Sequence, residues 1–189
     1  MTTRHLLAVP CGAGPSADIG VLISIAQRAG WTVSVTATPS AIGFLDVTAI
    51  GAATGAEPRT SFEASAGRDR TRTVRKADAV IIAPATYNSV NKLACGIADN
   101  YALTVVAELV GLGVPTVVVP YVNAALARRA PYQSAISVLS AEGIRILGPG
   151  DQWEPHEPGA GGQRQDQFPW QQAFDMAAAL TERTGERHL

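Results

Sequence analysis

Short unbroken apolar runs alternate along the chain with longer segments whose apolar residues recur every three or four positions. Leu6-Leu7-Ala8-Val9, Ala79-Val80-Ile81-Ile82 and Thr116-Val117-Val118-Val119 are continuous, as expected of strands covered on both faces. Trp31, Val33 and Val35 alternate with Thr32, Ser34 and Thr36 as a further strand, and residues 144–147 read as the last. Between them, Ile19, Leu22, Ile23 and Ala26 stand at i, i+3, i+4 and i+7, the spacing of one helix face. Ser16 is the expected N-cap of that helix, Asp18 lies in its first turn and Gly30 closes it. Residues 38–56 read as helical, with Phe44, Val47 and Ile50 toward the sheet, and residues 57–60 as a short edge strand. Val90, Leu93, Ala94, Ile97 and Ala98 form a second stripe, which leaves Asn88, Lys92, Cys95 and Asp99 on another face. Asp99-Asn100 breaks the pattern before a helix over residues 103–109. Residues 124–141 are helical, interrupted near Pro131 and closed by Gly143. Pro169 starts a final helix with Trp170, Ala173, Phe174 and Ala177 inward. Strands alternating with helices predict a single α/β domain over residues 1–189, a parallel sheet with helices on both faces.

Composition adds three limits. A net charge of −1 gives no general attraction to nucleic acid or to a membrane surface. The basic run Arg68-Asp69-Arg70-Thr71-Arg72-Thr73-Val74-Arg75-Lys76 has no interleaved aromatics, so it reads as a solvated connection, with an anion or partner surface as the alternative. Cys11 and Cys95 do not make a disulfide framework, no apolar run approaches a membrane span, and no secretory signal opens the chain, so a cytoplasmic protein is expected. Residues 148–167, rich in Gly, Pro and Gln, read as a flexible loop of the kind that forms lids.

Candidate chemistry collects where strands end, because open α/β sheets bind ligands there. The turn after the first strand, residues 10–16, carries Gly12, Gly14 and Ser16 before a helix, a setting that favours phosphate. Ala17 stands where a dinucleotide fingerprint needs its third glycine, and Thr38-Pro39-Ser40 stands where it needs an acidic residue. A mononucleotide phosphate held by hydroxyls and backbone N–H groups fits this turn better, and a tight turn without ligand is the competing reading. After the third strand come Pro84-Ala85-Thr86-Tyr87-Asn88-Ser89 and then Lys92 to Asp99-Asn100; after the next come Pro120-Tyr121-Val122-Asn123.

These motifs resemble those of the homo-oligomeric flavin-containing cysteine decarboxylases, the family of phosphopantothenoylcysteine decarboxylase and the peptidyl-cysteine decarboxylases of lanthipeptide biosynthesis. That family has a P-A-S-A-N-T turn followed by K-[IL]-A-x-G-I-x-D-N, matched here by residues 84–89 and 92–100, and a P-x-M-N turn, matched by residues 120–123. The resemblance covers roughly residues 4–147. It implies a Rossmann-like (flavodoxin-like) doubly wound parallel sheet, with FMN at a subunit interface within a homotrimer or a homododecamer built of trimers. The phosphate would lie against Gly12, Gly14, Ser16, Thr38 and Ser40, and the flavin ring against Pro84, Ala85, Thr86 and Asn88. It further implies a small-molecule or peptide substrate bearing a carboxylate and a thiol, oriented by Asn88 and Asn123.

Departures from the pattern qualify the implied activity. Counting back from Ala77-Asp78, the family's catalytic His falls on Arg70, and a guanidinium cannot accept a proton. His5 and His188 lie near the chain ends and His156 lies in the 148–167 loop, where relatives place a substrate clamp. Val122 replaces the Met of the second motif, and Tyr87 replaces a small residue, which is expected to narrow the flavin pocket. An FMN-dependent decarboxylase with altered or lost activity is therefore the leading expectation. The alternatives are a non-catalytic flavin-binding regulatory or scaffold protein and a flavin prenyltransferase.

Overall fold

The computed structural model describes residues 3–61 and 77–186. Strands β1 (His5–Ala8), β2 (Thr32–Val35), β3 (Ala79–Ala85), β4 (Thr116–Pro120) and β5 (Arg145–Ile146) form one five-stranded sheet in the order β2-β1-β3-β4-β5, every neighbouring pair parallel. The helices are α1 (Ile19–Arg28), α2 (Val47–Thr54), α3 (Tyr87–Ala94), α4 (Tyr101–Gly111), α5 (Ala124–Ala127), α6 (Ala130–Ala141), α7 (Gly161–Arg164) and α8 (Trp170–Glu186). The chain runs outward from β1 to β2 and then crosses back to β3, so the turns after β1 and β3 diverge from a switch point.

The period-two alternation of a strand explains the unbroken apolar runs. Leu6, Ala8, Ile81, Val117 and Val119 face Leu22 and Ile23 of α1 and Phe174 of α8. Their neighbours Leu7, Val80, Ile82 and Val118 face Val90 of α3, Val106 and Leu109 of α4 and Leu139 of α6. Both sides of each strand must therefore be apolar.

Several boundaries differ from the pattern-based reading. A 3₁₀ turn, Gly14–Asp18, precedes α1, and the Ser16 hydroxyl turns inward to donate to the Cys11 carbonyl at 2.7 Å instead of capping the helix. Residues 38–56 divide into a 3₁₀ segment, Pro39–Phe44, and α2, which restarts where Asp46 accepts from the Ala49 N–H at 2.9 Å. Ile50 is buried but Phe44 is 44% exposed. Helix α3 ends at Ala94 because Gly96 takes a left-handed φ of 67°, and Ile97 then lies at the surface instead of on a buried stripe. β3 runs to Ala85, so Pro84 and Ala85 belong to the sheet and the turn begins at Thr86. Of residues 57–60 only Arg59 pairs, in a single bridge to Thr36.

The largest difference concerns residues 148–167. They are docked, not free. Trp153 is buried and its indole N–H donates to the Pro120 carbonyl at 2.8 Å, and Phe168 is buried against Trp153 and Trp170. The anchoring aromatics outweigh the loop-like composition around them. Among the described residues no helix is long and apolar enough to cross a membrane.

Candidate functional site

Backbone hydrogen bonds stitch the turns at the C-terminal edge of the sheet into one row. The Thr38 N–H donates to the Pro10 carbonyl (3.2 Å), Cys11 N–H to Pro84 (3.0 Å), Tyr121 N–H to Ala85 (2.8 Å) and Ala124 N–H to His156 (2.7 Å). Segments widely separated in sequence thus lie side by side. At strand spacing each step along the row is about 4.8 Å.

At the β1–β2 end, the Thr38 side chain is buried and its hydroxyl has no hydrogen-bond partner among the described residues; the Thr36 hydroxyl is in the same state. An unpaired buried hydroxyl typically costs about 1–3 kcal/mol unless something satisfies it. Gly12 packs against the next turn so closely that a β-carbon there would come within 2.5 Å of the Ser40 carbonyl oxygen. Only glycine lets the two turns meet. Gly14 is covered by Gln165, whose side-chain amide donates to the Gly14 carbonyl at 3.0 Å. Ser40 is exposed beside this crevice, whereas Ser16 is buried with its proton committed to Cys11. Thr38 and Ser40 thus bring two hydroxyls to this turn, the first closed off from solvent and unpaired among the described residues, the second exposed.

At the β3 turn, Pro84 and Ala85 are closed within the sheet and both their carbonyls are bonded. The accessible part of the motif starts at Thr86, which caps α3 by accepting from the Ser89 N–H at 3.2 Å. Asn88 is exposed in the first turn of α3, and its amide makes no hydrogen bond among the described residues. Tyr87 does not narrow the crevice: its ring stacks on Tyr132 of α6 at 5.8 Å and its hydroxyl accepts from Arg129 at 3.2 Å. Lys92 pairs with Asp99 at 2.5 Å, and this hydrogen bond holds the Asp99 carboxyl below the usual carboxylate range. That pair ties α3 to the turn after it. Cys11 lies beneath the same turn, fully buried. Burial pushes its thiol up to about 11, against hydrogen bonds with the Ser89 side chain and the Thr86 backbone that act to lower it. It is an inert packing group at neutral pH.

At the β4 turn, Asn123 caps α5, its Oδ1 accepting from the Leu126 N–H at 2.9 Å. Its Nδ2 has no partner among the described residues. Asn123 forms an isolated parallel bridge with His156, a juxtaposition invisible in the sequence because 32 intervening residues contain no strand signal beyond β5. His5 is remote from this row: its ring bonds the Thr32 and Ser34 hydroxyls at 2.8 and 2.9 Å. Arg70, the basic run 68–76 and His188 lie outside the described residues.

The model of a protein family described as Flavoprotein matches residues 1–165. No curated protein matches the chain. Among solved structures, the FMN-dependent cysteine decarboxylase TvaF from thioviridamide biosynthesis superposes with a TM-score of 0.75 at 22% identity, covering 96% of this chain and 99% of its own. The FMN-dependent cysteine decarboxylase SpaF gives 0.67 at 29% identity, covering 82% and 86%. The epidermin biosynthesis protein EpiD from Staphylococcus aureus gives 0.63 at 23% identity, covering 76% and 81%.

Proposed function

The chain belongs to the Flavoprotein family, and from that premise we propose that it binds FMN along the C-terminal edge of its sheet and acts on a cysteine-derived carboxylate in the manner of the cysteine decarboxylases it resembles. The observation that carries the reading is the buried, unsatisfied Thr38 hydroxyl beside the Gly12–Ser40 contact. A phosphate oxygen would accept the hydrogen bond that this hydroxyl lacks, and Gly12 lets the Ser40 turn close in beside it. The residues present fit the cofactor. Thr38, Ser40, Gly12 and Gly14 would hold the phosphate, with Ser16 stiffening the turn from below. Thr86 and Asn88 would meet the ring end, with Pro84 and Ala85 fixing their height. Bound FMN supplies the two-electron acceptor that oxidative decarboxylation of a cysteine side chain requires. Asn88 and Asn123 each keep unbonded amide hydrogens, the donors a carboxylate needs. A second subunit would complete the site in a homotrimer or a dodecamer of trimers, and the protein would work in the cytoplasm.

Titration with FMN, followed by flavin absorbance and fluorescence, tests the cofactor. Wild-type protein should bind FMN, and Thr38→Val should weaken binding about 10–100-fold, since a hydrogen bond to a charged group is worth about 1.5–3 kcal/mol. The apoprotein should lose no stability, because the valine removes an unsatisfied group. A protein that stays colourless after FMN is added sinks the cofactor assignment. Incubation with cysteine-terminated peptides or phosphopantothenoylcysteine, read by mass spectrometry for loss of CO2, tests the reaction. Arg70 favours the second reading, a flavin-binding scaffold without turnover, and intact substrate in the presence of bound FMN would establish it.

A further inference from the structure

If the family's histidine position is an arginine, a decarboxylase built on this chain needs its proton acceptor elsewhere. We propose that His156 is that acceptor, taking the proton of the substrate thiol; this rests on the flavoprotein reading above. The 155–157 segment runs beside the turn that follows β4. The His156 N–H donates to the Val122 carbonyl at 3.3 Å and its carbonyl accepts from Ala124 at 2.7 Å, which pairs it in register with Asn123. Residues paired in register leave a ladder on the same face, and so do residues two apart on one strand. Tyr121, two residues before Asn123, meets the imidazole with ring centroids 5.0 Å apart, as that geometry requires. His156 therefore stands one ladder step from Asn123 and two steps, about 10 Å, from the turn that carries Thr86 and Asn88.

The ring's hydrogen bonding sets it up as a base. Nδ1 lies 3.0 Å from the Glu157 carbonyl oxygen, which only accepts, so Nδ1 carries the hydrogen and Nε2 keeps its lone pair. Nε2 has no hydrogen-bond partner among the described residues. Gly161 lies beside that edge of the ring, where a β-carbon would sit 3.4 Å from Nε2, and its carbonyl is held by the Tyr121 hydroxyl. A side chain at position 161 would lie against Nε2, and the glycine leaves that space free. In the step the structure assigns, the substrate S–H bond breaks, an Nε2–H bond forms, and the electron pair stays on sulfur as a thiolate. No other reactant is consumed.

The test uses the full chain, with and without FMN, and a cysteine-terminated peptide isotope-labelled at Cβ, whose NMR shift distinguishes thiol from thiolate. Wild-type protein should hold the bound peptide as thiolate at neutral pH. His156→Gln, which can still donate to the Glu157 carbonyl, should hold it as thiol and release CO2 about 10²–10⁴-fold more slowly. FMN affinity should stay unchanged, which verifies the fold of the variant. A wild-type complex whose thiol remains protonated, or a variant with undiminished thiolate, overturns the assignment. Thiolate without loss of CO2 would retain His156 as the thiol base and overturn the decarboxylase reading instead.

Discussion

Cys11 and Cys95 place the same side chain in opposite surroundings, one fully buried beneath the β3 turn and one exposed past the end of α3. Iodoacetamide should label Cys95 alone in the native protein and both after unfolding, as peptide mass mapping would read out. The Cys11 shift also makes stability pH-dependent. Its folded pKa of about 11 exceeds the ordinary thiol value, so between about pH 9 and 11 the unfolded state sheds its proton first and the native state is penalised. Urea titrations should find stability falling by about 2–3 kcal/mol more across that window in the wild type than in Cys11→Ala; burial also pushes Tyr132 up to about 12, and the loss it causes remains in both. At this scale the sequence was a partial guide. It marked Gly12, Thr38, Ser40, Asn88 and Asn123 as residue types suited to an anion and a carboxylate. It could not distinguish a hydroxyl turned inward, as in Ser16, from one left unsatisfied, as in Thr38, because that depends on which carbonyl the tertiary fold brings near.

Helix and strand limits follow from a few local decisions. Gly96 in a left-handed conformation ends α3, and Asn100 starts α4 by accepting from the Leu103 N–H at 3.1 Å. Replacing Asn100 with Ala should cost about 1 kcal/mol, within the usual range of about 0.5–2 for a lost N-cap, measured as a shift of the urea midpoint at unchanged slope. Periodicity alone carried the α3 stripe on to Ile97 and Ala98, since apolar spacing persists through a glycine that the backbone uses as a stop. The strands were legible almost to the residue, because a doubly covered parallel sheet demands an unbroken apolar run. Their shortest member, β5, forms ladder pairs only at Arg145 and Ile146 of the expected residues 144–147.

Across the whole molecule, alternation of strands and helices specified the fold class, and the motif turns pointed to the edge of the sheet where the site is proposed. Residues 148–167 read as a flexible loop because Gly, Pro and Gln dominate their composition, while in the structure Trp153 and the following Phe168 anchor them. The docked segment reaches from His156 beside Asn123 to Gln165 over Gly14, so it spans the proposed site from the carboxylate end to the phosphate end. Cofactor binding should therefore stabilise the chain as a unit. FMN at a hundredfold excess over its Kd should add about 2.7 kcal/mol, seen as a concentration-dependent rise in Tm. A Tm that is insensitive to FMN would count against a site formed in the native state.

The sheet has one further property. Its outer margins are β2, met beyond Val35 only by the single Thr36–Arg59 bridge, and β5, two residues long and bearing an exposed Arg145. Among the described residues each margin is at most four residues long, a short edge that limits pairing with a neighbouring molecule's backbone. Short edges favour contacts made side chain against side chain over strands added to the sheet. Such contacts are open to revision by single surface substitutions, while the sheet that carries the motif turns stays as it is.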